Sequence, residues 1–433
     1  MTRRHVALAL ITGLALSVLL PIGAGVAQAE AAEDFTFGAV GDNGADGPGD
    51  AGEATSRTLA LIGREHPAFV QSLGDLAYDA SAAADVHDGG DWCAWTNAQI
   101  SRASDGVSVP YITAAGNHEA QDAKAGFAIE DYTAAPSCAD SFASITSFPT
   151  DAATDSAKDS FYDYPADRPL LRMININPGL TYRHGGVRDY SRGSALYDWV
   201  ENAIRAAKAQ REWVVLTYHV PYLNAGSDHG SDMSTGYYAP TATQFRDVFA
   251  LAAQTGVDLI LNGHEHNYQR SGQLRISDAC PAIAHDQYDE ACVSGADGSP
   301  ESPYIRGAGP VQLIIGTGGH KPSAVDGSDG DRGYMLVADA GADNCGYVSF
   351  AVTSAALTGT FRNACGGMLS DTFTIASGAV PEPTRSSPSA SPTPVPAPAA
   401  ASEFPLGAVI GIASAIVIVI AAIGTTVLLR RRR

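Results

Sequence analysis

Five β-prone runs, met in order along the chain, each stop at residue types that bind cations. Residues 35–40 lead into Gly41-Asp42-Asn43-Gly44, and residues 68–73 into Gly74-Asp75-Leu76-Ala77-Tyr78. Residues 111–114 lead into Gly116-Asn117-His118-Glu119, residues 213–217 into Tyr218-His219, and residues 257–261 into Gly263-His264-Glu265-His266. In open α/β sheets, ligands gather at the carboxyl ends of strands. Aspartate, asparagine, tyrosine and histidine supply the oxygen and nitrogen donors that hard and borderline metals take. A single Gly-Asp pair arises by chance in any long chain; an ordered set of five strand ends does not.

Between these runs the pattern alternates. A helical stretch is expected over residues 54–64, and another over residues 194–209, where Leu196, Trp199, Val200 and Ile204 share one face. Later, residues 311–315, 334–338, 347–352 and 373–375 read as strands with no helix between them. Alternation first and a strand-rich half afterwards predict two packed sheets with helices outside. No internal repeat is visible.

The ends carry a different signal. Residues 1–5 are basic, residues 6–20 are almost unbroken apolar sequence, and Ala27-Gln28-Ala29 offers small residues to a signal peptidase. Residues 1–29 are therefore read as a leader cut before Glu30. Residues 378–403, rich in Pro, Ser, Ala and Thr, bury too little to fold and read as an extended linker. Residues 404–429 hold no charge and suffice to cross a hydrocarbon core of ~30 Å at ~1.5 Å per residue. The four arginines at 430–433 then form a cytoplasmic tail. The expectation is a body over residues 30–377 displayed at the extracytoplasmic surface on a single C-terminal transmembrane helix.

Charge excludes one class of partner. The chain holds 27 basic against 47 acidic residues. Setting aside the six arginines of the two ends, which have no acids near them, leaves 21 against 47, a net of −26 for the body. Such a body repels polyanions, so nucleic acid is not expected as a partner. All six cysteines fall in the body, an even count that points to three disulfides in an oxidising compartment. Neighbour pairing is the simplest arrangement: Cys93 with Cys138, Cys280 with Cys292, Cys345 with Cys365.

The five quoted motifs together resemble those of the calcineurin-like metallophosphoesterase superfamily, and the tyrosine three residues after Asp75 resembles the purple acid phosphatases within it. The resemblance implies an α/β (α+β) fold, a four-layer α/β/β/α sandwich of two mixed sheets. It implies two metal ions, Fe(III) and a divalent ion (Zn, Mn or Fe). One would be held by Asp42, Asp75, Tyr78 and His266, the other by Asp75, Asn117, His219 and His264, with Asp75 bridging. It further implies phosphate monoester hydrolysis by a metal-activated hydroxide, with His118 and His229 as the candidate proton donors to the leaving group. The substrate would be a small phosphate ester.

Two other readings use the same residues. The centre would serve a phosphodiester or nucleotide equally, or the metals would only brace the loops of a surface-displayed binding module without catalysis. Glu119 is expected to support ligands rather than react. His320, after Gly318-Gly319, is placed either at the pocket or in a plain loop. His66, His87, His184 and His285 lack any partner pattern and are read as surface residues.

Overall fold

The computed structural model describes residues 33–378 apart from 44–49, 77, 79–88, 121–141, 143–144, 149–158 and 183–185. The expected leader, apolar span and arginine tail, and all but Gly378 of the expected linker, lie outside the described residues, as do Cys138, His87 and His184. Among the described residues no helix is long and apolar enough to cross a membrane.

The first half alternates: β1 (Phe35–Val40), α1 (Asp50–Glu65), β2 (Phe69–Ser72), α2 (Gly89–Ala103), β3 (Tyr111–Ile112) and the single turn α3 (Asn117–Ala120). Short β4 (Thr146–Ser147), β5 (Ser160–Tyr164), β6 (Leu171–Asn175), β7 (Thr181–Tyr182) and β8 (Gly186–Val187) come next. Then follow α4 (Ala195–Ala209), β9 (Trp213–Thr217), α5 (Ala242–Thr255), β10 (Leu259–Asn262), β11 (Tyr268–Gln273), β12 (Tyr304–Ile305) and β13 (Val311–Ile315). The chain closes with β14 (Met335–Asp339), β15 (Gly346–Val352), β16 (Ala356–Asn363) and β17 (Thr372–Ala376).

Two mixed sheets result. One runs β12-β17-β16-β15-β1-β2-β3 and the other β14-β11-β13-β10-β9-β6-β5-β4. Within them β1, β2 and β3 are parallel neighbours, as are β6, β9, β10 and β13, so the motif-bearing ends of each set point the same way.

Side-chain alternation along each strand stacks the layers. Phe37, Ala39, Phe69, Val348 and Phe350 of the first sheet meet Met173, Trp213, Val215, Leu261 and Leu313 of the second in one buried cluster. Their neighbours face outward: Val40, Val70 and Tyr347 pack on Leu59 and Ile62 of α1 and on Trp92 and Ile100 of α2. Ile174, Val214, Leu216 and Ile260 pack on Leu196, Val200 and Ile204 of α4 and on Phe245 and Val248 of α5. The order is helix, sheet, sheet, helix, as expected. Each large apolar side chain so buried contributes about 1.5–3 kcal/mol. Local signals set the helix ends: Ser194 Oγ accepts the Tyr197 amide at the start of α4, and Gly256, at φ 70°, closes α5.

Cys280–Cys292 and Cys345–Cys365 are bonded, the neighbour pairs expected. Cys93 is also disulfide-bonded. His285 corrects one expectation. It is not a surface residue: its side chain is 8% exposed and its Nδ1 lies 2.6 Å from Asp331 Oδ2. A partner 46 residues away left no mark near His285 in the sequence.

Candidate metal centre

Sharp turns after β1, β2 and β10 deliver the first groups. Asp42, Asp75 and His264 all sit at positive φ (59°, 51° and 74°), unusual for residues with a Cβ and held by the surrounding backbone. The Asp42 amide donates to Gly74 O and the Asn43 amide to Asp75 O, both at 3.0 Å, which locks the β1 and β2 turns together. The Gly263 amide donates to His219 O at 3.0 Å and ties the β9 end to the β10 end. Gly116 must lack a side chain, because a Cβ there would overlap the Asp75 carboxylate.

All seven expected ligands meet, and they meet in two subsets. Tyr78 Oη lies 2.9 Å from Asp42 Oδ1 and 2.9 Å from His266 Nε2, and that nitrogen lies 3.5 Å from Asp42 Oδ1. On the other side, Asn117 Oδ1 lies 3.0 Å from His219 Nε2 and 2.9 Å from His264 Nδ1. Asp75 stands between them, its Oδ2 3.3 Å from His219 Nε2. Donor atoms of Asp42, Asp75 and His219 all fall within 4.8 Å of one another.

This arrangement fits metal ions. Ligands about 2.1 Å from one ion stand roughly 3.0–3.4 Å apart at tetrahedral or octahedral angles, close to the separations within each subset. Each histidine also has its outer nitrogen engaged: His219 Nδ1 with Leu73 O at 2.7 Å, His266 Nδ1 with Lys321 O at 3.0 Å, and His264 Nε2 with Asp232 Oδ2 at 3.2 Å. That leaves the inner nitrogen of every ring to the cluster, the pattern by which metal-ligating imidazoles are oriented.

Electrostatics agree. Burial, together with the neighbouring Asp75 charge, pushes the Asp42 carboxyl up to about 8, against the pull of His219. Burial also opposes ionisation of Asp75, but His219 and His118 hold its carboxyl well below the usual range. Burial works against a charge on His219, yet Asp75 raises it to about 9. Burial and the charges of Asp42 and Asp75 drive the Tyr78 phenol upward. Two carboxylates and a phenol this deep and this close call for cations to ionise together.

The two candidate proton donors flank the cluster on opposite sides. His118 rests its ring on Tyr78, centroids 4.3 Å apart, with Nε2 3.9 Å from Asp75 Oδ2. His229 stacks on His264 at 4.1 Å and points Nδ1 to Asp232 Oδ2 at 3.3 Å. Burial disfavours its charge, but the Asp232 hydrogen bond and the field of Glu265 outweigh that and raise its pKa. Glu119 is buried and accepts the amides of Asp75, Leu76 and Gly116 at 3.0, 2.8 and 2.7 Å, anchoring the β2 turn. His320 belongs to the site: its ring lies flat on Tyr78, 3.6 Å away with 10° between planes.

Asp232 was missed by the sequence reading. One carboxylate oxygen serves both His229 and His264, and with them it forms a group that could itself hold a cation. The only available signal was an acid three residues after a histidine, too common to carry weight.

A family model described as calcineurin-like phosphoesterase matches residues 35–268. An uncharacterized protein of Mycobacterium tuberculosis is 27% identical over 265 residues, 60% of this chain and 43% of its own length. Purple acid phosphatase 18 of Arabidopsis thaliana is 23% identical over 141 residues, 32% of this chain and 24% of its own. This chain thus spans less than half the length of these curated relatives. The solved structure of a purple acid phosphatase from yellow lupin (Lupinus luteus) seeds superposes with a TM-score of 0.54 at 16% identity, covering 80% of this chain and 54% of that one; the likeness is one of fold. With the matched span running from the first strand through both histidines of the β10–β11 turn, the chain belongs to the calcineurin-like phosphoesterase family.

Proposed function

We propose that this chain is an exported, membrane-anchored phosphatase that hydrolyses small phosphate monoesters at a two-metal centre of the purple acid phosphatase type. One observation carries the reading: two subsets of donor atoms, Asp42/Tyr78/His266 and Asn117/His219/His264, have the carboxylate of Asp75 between them, 3.3 Å from His219 Nε2 and within 4.8 Å of a donor atom of Asp42. Asp42, Tyr78, His266 and Asp75 would hold a ferric ion, since a phenolate is a hard anionic donor. Asn117, His219, His264 and Asp75 would hold a divalent ion, since a neutral carbonyl and two imidazoles suit lower charge. When bound, such a pair supplies Lewis acidity toward the phosphoryl oxygens and an activated water.

The chain's own residues do the rest. Glu119 fixes the Asp75 turn through three backbone amides. Asp232 engages Nδ1 of His229, which leaves Nε2 as the atom that delivers a proton to the departing ester oxygen. His118, on the opposite flank beside Tyr78, orients the phosphoryl group or serves an ester that enters from its side. The apolar span and basic tail support anchoring with the C-terminus inside.

The test is metal analysis of the purified chain alongside phosphate release from a monoester and a diester. Iron plus a divalent metal near one each per chain, with faster monoester turnover, is the expected result. Dominant diester turnover would replace the substrate class, and a folded, metal-loaded chain without either activity would remove the catalytic reading.

A further inference from the structure

Between the two histidines of the β10–β11 turn lies Glu265, fully buried, its carboxylate turned to the segments around Asn224 and Ser323 rather than to the ligand cluster. Its carboxylate meets two loops at once. Oε2 accepts the backbone amide of His229 at 3.0 Å and Asn224 Nδ2 at 3.3 Å; Oε1 accepts the Ser323 hydroxyl. Gly226 lies directly on the carboxylate, where a Cβ would overlap it. Above it the loops are zipped together: Ser227 donates to Ala324 O and Asp326 to Ala225 O, both at 2.8 Å, around the bridge Gly226–Val325. The polar network below is closed as well. Asn224 Oδ1 accepts from Gly226 N and Gln269 Nε2, and Gln269 Oε1 accepts from Ala225 N.

The first loop carries His229 and Asp232, and the second carries His320, stacked on Tyr78. We propose that Glu265 is a positioning residue, the common foot that seats both loops and thereby sets His229 over the centre. This deepens the phosphatase reading and rests on it. A buried carboxylate with three donors makes charge-assisted hydrogen bonds, and removing it orphans each donor. Local loosening of these two loops is the consequence, while the strands beneath, held by sheet pairing, stay in place.

Hydrogen exchange and leaving-group kinetics on full-length Glu265→Ala and Glu265→Gln test this. In Glu265→Ala, amides over 224–230 and 323–327 are expected to exchange at least tenfold faster while β9 and β10 keep their protection. Glu265→Gln retains an acceptor for the His229 amide and recovers most of that protection. For turnover, Glu265→Ala lowers kcat on an alkyl phosphate at least tenfold more than on p-nitrophenyl phosphate, whose leaving group needs no proton. In a His229→Ala background the same change adds less than twofold, because the group it positions is gone. Unchanged loop exchange, or a loss that multiplies fully with His229→Ala, overturns the proposal. If the parent chain releases phosphate from no ester, the phosphatase reading falls and loop exchange alone decides the role of Glu265. Should Glu265→Ala not fold, Ser323→Ala, which removes one donor only, carries the same exchange comparison with a smaller expected effect.

Discussion

The Tyr78 hydroxyl lies 2.9 Å from Asp42 Oδ1, across 36 residues of chain, and 2.9 Å from His266 Nε2, across 188. His320 lies flat on the same ring at 3.6 Å. Three strand ends and one loop therefore converge on a single phenol, which makes it the natural optical probe of the centre.

Tyr78→Phe is expected to abolish a visible charge-transfer band that the parent shows after aerobic iron loading. The ring stays packed by His118 and His320, so the fold persists. Absorption spectra of both proteins decide the matter; a colourless parent, or an unchanged band in the variant, rejects tyrosinate ligation.

His219→Ala removes the imidazole that faces both Asn117 and Asp75. Loss of an outer partner of a metal ligand typically costs 10–100-fold, so loss of an inner one should cost at least about 100-fold in turnover. Metal content should fall from two per chain toward one with circular dichroism unchanged. Normal turnover in this variant would speak against the assignment.

Gly74→Ala tests the turn that carries Asp75. Gly74 has φ 93°, and a Cβ there would stand 2.7 Å from Ala115 O, Gly116 N and His219 Nδ1. The backbone conformation alone costs about 1–3 kcal/mol for a residue with a Cβ, and the contacts add to it. Chemical denaturation should show a destabilisation at or above that range.

Glu212 gives a pH-dependent prediction far from the centre. It is buried, neither oxygen accepts a hydrogen bond from any of the described residues, and Asp163 competes for Arg172, which is 2.6 Å from Asp163 and 3.7 Å from Glu212. Burial, then the Asp163 charge, raise its carboxyl from an ordinary 4.5 to about 7, with Arg172 opposing. Between those values the folded state holds a proton that the unfolded state has lost, so its contribution to stability falls as pH rises. Glu212→Gln should melt higher than the parent at pH 8 and level with it near pH 4; thermal scans at the two values check this.

Much of this was legible in the residues. Strands such as β9 and β13 are short runs with four apolar residues in five, and α4 shows its face through Leu196, Val200 and Ile204, so local pattern marks them. The seven donor residues stand just past strand ends, because the turns there free polar side chains from the sheet. Strand β11, Tyr-Gln-Arg-Ser-Gly-Gln, was not legible. All six residues are buried, since Arg270 pairs with Asp371 at 2.7 Å, Gln269 donates to Asn224 Oδ1, and Gln273 donates to the carbonyls of Ile305 and Gly309. A polar strand becomes interior only when distant partners satisfy it, and hydropathy cannot see partners.

The sequence by itself determined the chemistry on offer, because ligand type and strand-end position are local properties written within a few residues. Only the tertiary structure decided how that chemistry is divided and supported. The pairing of Tyr78 with His266, the sharing of Asp232 between His229 and His264, and the seating of two loops on Glu265 all join groups far apart in the chain, so their geometry exists only once the two sheets have packed.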